Sequence, residues 1–275
     1  MEFINVKGLQ VPALGFGTWQ LTGDDCAQGV QTALELGYRH IDTAQIYENE
    51  AEVGKGIARS GIGRSEVFLT TKIWISNFRA SDVHSSFNES LRKLQTDYVD
   101  LLLMHWPNPE VDLAETLGAL QELKDAGKVR AMGVSNFPVA LMKSAVEELG
   151  FDIACNQVEY HVMLSQKPVL EYAQGHDMML TAYSPLARGN LEKNATMRNV
   201  AHKHGKSVSQ VALRWLIEQR NVAAIPKASS EPHIRTNFDI FDFTLDEEDK
   251  KQIDGLSGNH RLVNPDFAPE WDQAA

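Results

Sequence analysis

The sequence predicts an α/β chain folded as a closed (β/α)8 TIM barrel, and three observations carry that expectation. Eight short apolar runs alternate with segments of helical periodicity. Most of those runs finish on polar or ionisable residues, at the end where the loops of such a barrel build a site. The main alternative, an open doubly wound sheet, should carry Gly-x-Gly-x-x-Gly after its first strand. Here Gly15-Phe16-Gly17-Thr18-Trp19-Gln20 has only the first two glycines, and a tryptophan follows.

Taken in order, Phe3 to Val6 and Leu9 to Val11, around Lys7-Gly8, read as an N-terminal β-hairpin. The eight expected strands are Ala13–Gly17, Arg39–Asp42, Val67–Lys72, Val99–Met104, Val129–Val134, Ala154–Glu159, Met179–Tyr183 and Val222–Ile225. Between them lie expected helices over Asp24–Leu36, Glu50–Ser60, Ser81–Leu94, Leu113–Ala126, Ala140–Leu149, Pro168–His176 and Ser207–Gln219. Asn49 stands where the N-cap of the second of these belongs, with acids behind it.

No Pro-rich, Ser-rich or charge-run linker interrupts the 275 residues, so one domain over 1–275 is expected. Hydrophobic residues make up 43% and charged residues 23%, the balance of a globular chain rather than a disordered one. A formal net charge of -11 argues against nucleic-acid or anionic-membrane partners, which need clustered Lys and Arg. It leaves open an anionic small ligand, which needs only local positive charge. Cys26 and Cys155 lie far apart without metal-ligand spacing, and no His-x-His follows the first strand, so no metal is expected. Free thiols and a start without a signal-peptide pattern point to the cytoplasm.

The stretch Tyr38-Arg39-His40-Ile41-Asp42-Thr43-Ala44-Gln45-Ile46-Tyr47 reads as a strand ending in an acid, then a loop carrying a tyrosine. The next two strands end in Lys72 and His105. If the four groups meet at one mouth, they suit the protonation of a carbonyl during its reduction. A free tyrosine, with a pKa of about 10, is a poor acid at neutral pH. An ammonium from Lys72 held against Tyr47 would favour the phenolate and lower that value. Asp42 would keep Lys72 charged, and His105 would hydrogen-bond the substrate oxygen. Each residue also has a plainer reading: a rim lysine or histidine, a loop-anchoring tyrosine, an aspartate capping its own turn. A Schiff-base aldolase with Lys72 as nucleophile is a rival chemistry.

The segments Gly37 to Ala44 through Asn49-Glu50, Val99 to Pro107, Gly133-Val134-Ser135-Asn136-Phe137 and Ile225-Pro226-Lys227 resemble the signature stretches of the aldo-keto reductase superfamily. The likeness runs in register from about Val11 onward. Within the superfamily it is greatest to bacterial 2,5-diketo-D-gluconate reductases, helped by the ending His260 to Asp272. The resemblance implies that Tyr47 donates the proton and that Asp42, Lys72 and His105 complete the set. It implies that Ser135, Asn136 and Gln157 bind a nicotinamide carboxamide and that the Tyr183 ring stacks on the nicotinamide. Ser184 and Leu186 would line the pyrophosphate, and Gly17 and Thr18 complete the cofactor wall. Lys227, Ser229, Ser230, His233 and Asn237 would face the adenosine end. A monomer is implied as well. A non-catalytic nicotinamide-binding redox sensor is the second rival, since some members of the superfamily work in that way.

Two departures from the pattern stand out. The superfamily usually holds the 2′-phosphate with Lys-Ser and an arginine six residues after that lysine; here Ala228 and His233 stand in the latter two places. If Pro232 opens a helix, Arg235 lies far round from His233, whereas Asn237 shares its face. Histidine cannot make arginine's bidentate, permanently charged contact to phosphate. NADPH is still expected to be preferred, because Lys227 and the hydroxyls of Ser229 and Ser230 remain, but with more tolerance of NADH than usual. Further, His161-Val162 replaces the usual His-Pro, which should loosen the loop after the sixth strand, with His161 on its rim.

Trp19, Trp74 and Trp106 follow the first, third and fourth expected strands and are expected to wall the substrate pocket. Such a mouth suits small aldehydes, α-keto aldehydes such as methylglyoxal, and keto-sugar acids. The tail from Arg261 to Trp271 is expected near the mouth, where Arg261 would meet a substrate carboxylate.

Overall fold

The computed structural model describes residues 1–272. Its elements, in order, are β1 (Phe3–Val6), β2 (Leu9–Pro12), β3 (Phe16–Gly17), α1 (Gly23–Leu36), β4 (His40–Asp42), α2 (Glu50–Ser60), β5 (Phe68–Ile73), α3 (Ala80–Leu94), β6 (Val99–Met104) and α4 (Leu113–Asp125). They continue with β7 (Val129–Ser135), α5 (Val139–Lys143), β8 (Ile153–Glu159), α6 (Lys167–Gly175), β9 (Met179–Tyr183), α7 (Ala195–His204), α8 (Val208–Ile217), β10 (Val222–Ala224), α9 (Glu231–Phe238) and α10 (Glu247–Asp254).

Strands β3 to β10 form one parallel sheet in chain order. Leu14 bridges Ala224, and backbone bonds from Gly15 to Ala224, from Ala224 to Ala13 and from Gly17 to Pro226 join the two ends. Together they close the (β/α)8 barrel. The antiparallel β1–β2 hairpin precedes it, with Ile4, Val6 and Val11 buried in the core.

The departures from the expected elements have local causes. Regular pairing of the first strand covers only Phe16–Gly17, because its Ala13–Gly15 part is used in the closure to β10. The helix expected over Ala140–Leu149 runs as a short α5 that widens into a π-helical turn at Ser144–Glu148. Two helices rather than one fill the β9–β10 crossover. Ser207 and Gln210 make a reciprocal capping box that starts α8, and α7 stops at the left-handed Gly205 just before it.

Glycine sets the approach of the first three helices. A Cβ on Gly56 would lie 2.7 Å from Val30 Cβ on α1, and one on Gly54 would lie 2.7 Å from the Leu94 carbonyl at the end of α3. Gly56→Ala should therefore lower stability by about 1–3 kcal/mol through overpacking. Urea denaturation should show a lower midpoint with an unchanged slope; an unchanged midpoint would contradict this packing.

Candidate active site

Three adjacent strands and one loop deliver the four chemistry-bearing side chains to the carboxyl end of the barrel. Asp42 ends β4, Lys72 is the fifth residue of β5, and His105 follows β6. Tyr47 closes a single 3-10 turn, Gln45–Tyr47, immediately before left-handed Glu48.

That loop is fixed by Asn49, whose side chain does not cap α2 as expected. It is buried, donates to the carbonyls of Thr18 and Leu21 at 2.9 Å each, and accepts from Thr43 Oγ1 at 2.7 Å. The loops after β3 and β4 are thereby joined beneath Tyr47. Gln45 adds a second tie by accepting from the Trp74 amide.

Lys72 Nζ is fully buried and meets three acceptors: Asp42 Oδ1 at 2.5 Å, the Thr43 carbonyl at 2.7 Å and Tyr47 Oη at 3.4 Å. An ammonium has three donors, and all are used. The second Asp42 oxygen accepts from Gln157 Nε2 at 2.7 Å, so a strand across the barrel steadies the pair. Burial pulls Lys72 below its ordinary pKa, opposed by the carboxylate of Asp42.

Tyr47 departs from the sequence expectation. Burial, reinforced by the negative charge of Asp42, pushes its phenol well above the ordinary value rather than below it. The group therefore holds its proton at neutral pH. His105 moves the other way: burial first, then the Lys72 charge, drives its imidazole well below the ordinary value. The ring is neutral, and its Nδ1 is sealed without a hydrogen-bond partner. Its Nε2 is left to meet a ligand. The ring lies edge-on to Tyr47 and Trp74, with centroids 5.7 and 5.2 Å apart.

A cavity of about 550 Å³ opens above these groups. Its wall includes Asp42, Tyr47, His105, Trp19, Trp74 and Trp106 at one end, with Gly17, Thr18, Asn136, Gln157, Tyr183, Ser184, Leu186 and Lys227 along its length. Lys72 is not on the wall; it acts from behind Asp42 and Tyr47. Ser135 is buried behind the wall too, donating to the Gln157 carbonyl at 2.8 Å. Asn136 Nδ2 donates to the His105 carbonyl and to Ser135 Oγ, and its Oδ1 accepts from Tyr183 Oη at 2.8 Å. Asn136 and Ser184 both take left-handed backbone, φ 63° and 48°, which turns these strand ends toward the cavity.

The arrangement fits a nicotinamide. Gln157 spends its amide nitrogen on Asp42, which leaves Oε1 as an acceptor suited to a carboxamide N–H. The Tyr183 ring stands on the same wall, held by its hydroxyl.

The family model for the aldo/keto reductase family matches residues 13–257. The chain belongs to that family. It is 44% identical to methylglyoxal reductase DkgB of Escherichia coli O157:H7, over 96% of this chain and all of that protein. It is 42% identical to glyoxal reductase of Bacillus subtilis (strain 168), over 94% of each. The crystal structure of a candidate 2,5-diketo-D-gluconic acid reductase B superposes with a TM-score of 0.96 at 47% identity, over 99% of this chain and 98% of that one. Membership and these named reductases make the protein an oxidoreductase of the aldo/keto reductase type, a family that uses nicotinamide cofactors.

The adenosine-end residues are spread more widely than the sequence implied. Lys227, Ser229, Ser230 and His233 are exposed, while Asn237 is buried, so His233 and Asn237 do not present one open face. Ser229 borders a second, smaller cavity with Asp25 and Glu231. Arg235 pairs with Glu231 at 2.9 Å on the exposed surface of α9.

The loop after β8 is not loosened by the missing proline. Val162 is buried, and His161 is fully buried rather than on the rim, donating from Nε2 to Glu159 at 3.0 Å while Nδ1 accepts from the Met163 amide. Arg261 does not line the cavity. Its guanidinium lies 3.7 Å from the Trp271 ring centre, and its Nη1 is buried without a hydrogen-bond partner.

Sequence reasoning passed over Ile46, Arg188 and Val263 on the wall, and Phe267, whose ring meets Trp74 and Trp106 at 6.0 and 5.5 Å. The sequence signal available for Ile46 is its place between Asp42 and Tyr47, and that for Arg188 is its place five residues past Tyr183. The depressed imidazole gives a test: the His105 ring signals in a histidine-edited NMR titration should not move between about pH 5 and pH 8. A midpoint near the ordinary value of about 6.5 would contradict the site's geometry.

Proposed function

We propose that the protein is a cytoplasmic, monomeric, NADPH-dependent reductase of small aldehydes and α-keto aldehydes such as methylglyoxal, built as one barrel domain over residues 1–275. The observation that carries this reading is the buried chain from Gln157 through Asp42 and Lys72 to Tyr47, ending in a cavity beside a neutral imidazole. The names of the methylglyoxal and glyoxal reductases support the substrate class. Two buried free cysteines are in keeping with a reducing compartment, and among the described residues no helix is long and apolar enough to cross a membrane.

In this mechanism the substrate oxygen sits between Tyr47 Oη and His105 Nε2. A nicotinamide held by Asn136, Gln157 and the Tyr183 ring would supply a hydride to the carbonyl carbon. Tyr47 keeps its proton until the oxygen gains alkoxide character, because its raised pKa opposes early release; an alkoxide is far more basic than any phenolate, so transfer is then downhill. Lys72 stabilises the phenolate that results, and Asp42 keeps the lysine protonated despite its burial. His105, neutral and fixed between Tyr47 and Trp74, orients the oxygen. Trp19, Trp74, Trp106 and Phe267 narrow the mouth and favour short substrates.

A Schiff-base role for Lys72 fits poorly. Burial does depress its pKa, as such a nucleophile requires, but Nζ is shut off from the cavity and saturated by three partners. The complete set of groups in a substrate-sized cavity likewise disfavours a redox sensor without turnover. A keto-sugar acid is the second substrate reading, favoured by Arg188, a cation on the wall beside Trp19.

At the adenosine end Lys227, Ser229 and Ser230 support NADPH. His233 in place of arginine, with Asp25 and Glu231 bordering the neighbouring cavity, supports tolerance of NADH.

A panel of glyoxal, methylglyoxal, a simple aldehyde and a keto-sugar acid, followed by loss of NADPH absorbance, tests the reading; no turnover with any member would refute it. Tyr47→Phe should reduce kcat by about 10²- to 10⁴-fold with NADPH affinity unchanged. Full activity in that variant would remove the proton donor from the scheme. Wild-type kcat/KM should favour NADPH while NADH still supports turnover, and His233→Arg should widen the ratio; complete rejection of NADH by the wild type would contradict this. As pH rises, Lys72 should lose its proton earlier than an ordinary lysine. The reductive rate should accordingly fall on the alkaline side and stay level from neutral pH down through the ordinary histidine range.

A further inference from the structure

Glu159 is fully buried two residues beyond Gln157, on the same side of β8, yet it takes no part in the proton chain. Its carboxylate instead collects three donors. The backbone amides of Leu262 and Val263 reach its two oxygens at 2.7 and 2.9 Å, and His161 Nε2 completes the set at 3.0 Å. The Met163 amide donates to His161 Nδ1, which fixes the tautomer with its proton toward Glu159. Beside this contact, Ser165 N donates to the Gly258 carbonyl at 2.8 Å and His260 N to the Met163 carbonyl at 3.1 Å. The segment 258–263 is thus stitched to the loop after β8 along its whole length, and the carboxylate is the last stitch before the chain crosses the mouth.

Past that point, Val263 lines the cavity, Phe267 packs edge-on against Trp74 and Trp106, and Trp271 packs against Trp106. No regular secondary structure holds residues 262–272, so their backbone lacks a ladder of its own. We propose that Glu159 is a positioning residue for substrate selection: it latches the C-terminal segment as the outer wall of the pocket, through Val263 and Phe267, and so sets the size of carbonyl compound accepted. Removing the latch leaves the Tyr47 chain and the nicotinamide wall in place, because none of their hydrogen bonds uses the Glu159 carboxylate.

The inference rests on the carbonyl-reductase reading, and the test separates the two failures. In Glu159→Gln, one acceptor oxygen becomes an amide NH2 group that opposes one of the N–H donors. KM for methylglyoxal should rise about ten-fold while kcat stays within about three-fold, and KM for a bulky aldehyde such as 2-naphthaldehyde should hold or fall. NADPH affinity, read by quenching of protein fluorescence, should be unchanged. Phe267→Ala, a change at a half-exposed ring, should shift the same ratio. Hydrogen exchange should find the Leu262 and Val263 amides protected in the wild type and fast in Glu159→Gln. Equal losses for all aldehydes and for NADPH, or an unaltered substrate ratio, would overturn the proposal. Should Glu159→Gln fail to fold, fast exchange of those two amides in the wild type, or an unshifted ratio in Phe267→Ala, would overturn it. A wild type that reduces no aldehyde refutes the functional reading, and the exchange pattern still decides the latch.

Discussion

The buried ion pair between Asp42 and Lys72 is the constraint from which the site follows. An ammonium without water is costly unless every proton finds an acceptor, and breaking such a pair by removing one member typically costs about 3–5 kcal/mol. The barrel meets the requirement with Asp42, the Thr43 carbonyl and the Tyr47 hydroxyl. The first two are provided by the strand end of β4 and the residue after it, so their geometry comes with the parallel register of β4 and β5. The third depends on a one-turn loop riveted by Asn49. The placement of the Tyr47 hydroxyl is thereby coupled to the satisfaction of a buried charge that the fold must solve in any case.

The neighbouring groups are polarised in opposite senses by the same burial. Low access to water favours the neutral form of each, which means a protonated phenol and a proton-poor imidazole. In the proposed mechanism the cation nearby would act on them chiefly through geometry and through the charge that appears during the reaction. Acidity of the phenol in the resting protein would then be unnecessary, and the lysine's influence would grow as negative charge forms on Tyr47 Oη.

Much of this was legible in the sequence. Alternating periodicities gave the barrel, and strand ends gave Asp42, Lys72, His105, Gln157 and Tyr183, because strand register alone places such residues at one rim. The hidden parts depend on long-range packing. The direction of the Tyr47 shift turns on how completely the barrel excludes water, which no local pattern states. Asn49 reads as a helix cap by position, yet tertiary partners claim its side chain. His161 looks like a rim residue until the chain returns about a hundred residues later to bury it. Arg261 stands off the cavity lining, with its guanidinium stacked on Trp271 ten residues on, a contact no local pattern states. The helix α7 went unread because its buried stripe is short, only Met197, Val200 and Ala201, among polar and basic neighbours.

Strand β8 carries Gln157 toward the floor of the cavity and Glu159 toward its roof, within one repeat of the pleat. If both proposals hold, selectivity and proton delivery share a single rigid strand. A tail transplanted from a relative to redirect substrate choice would have to bring backbone amides that register against position 159. Otherwise the graft would enter the mouth without its tie at position 159, however well its own side chains suited the new substrate.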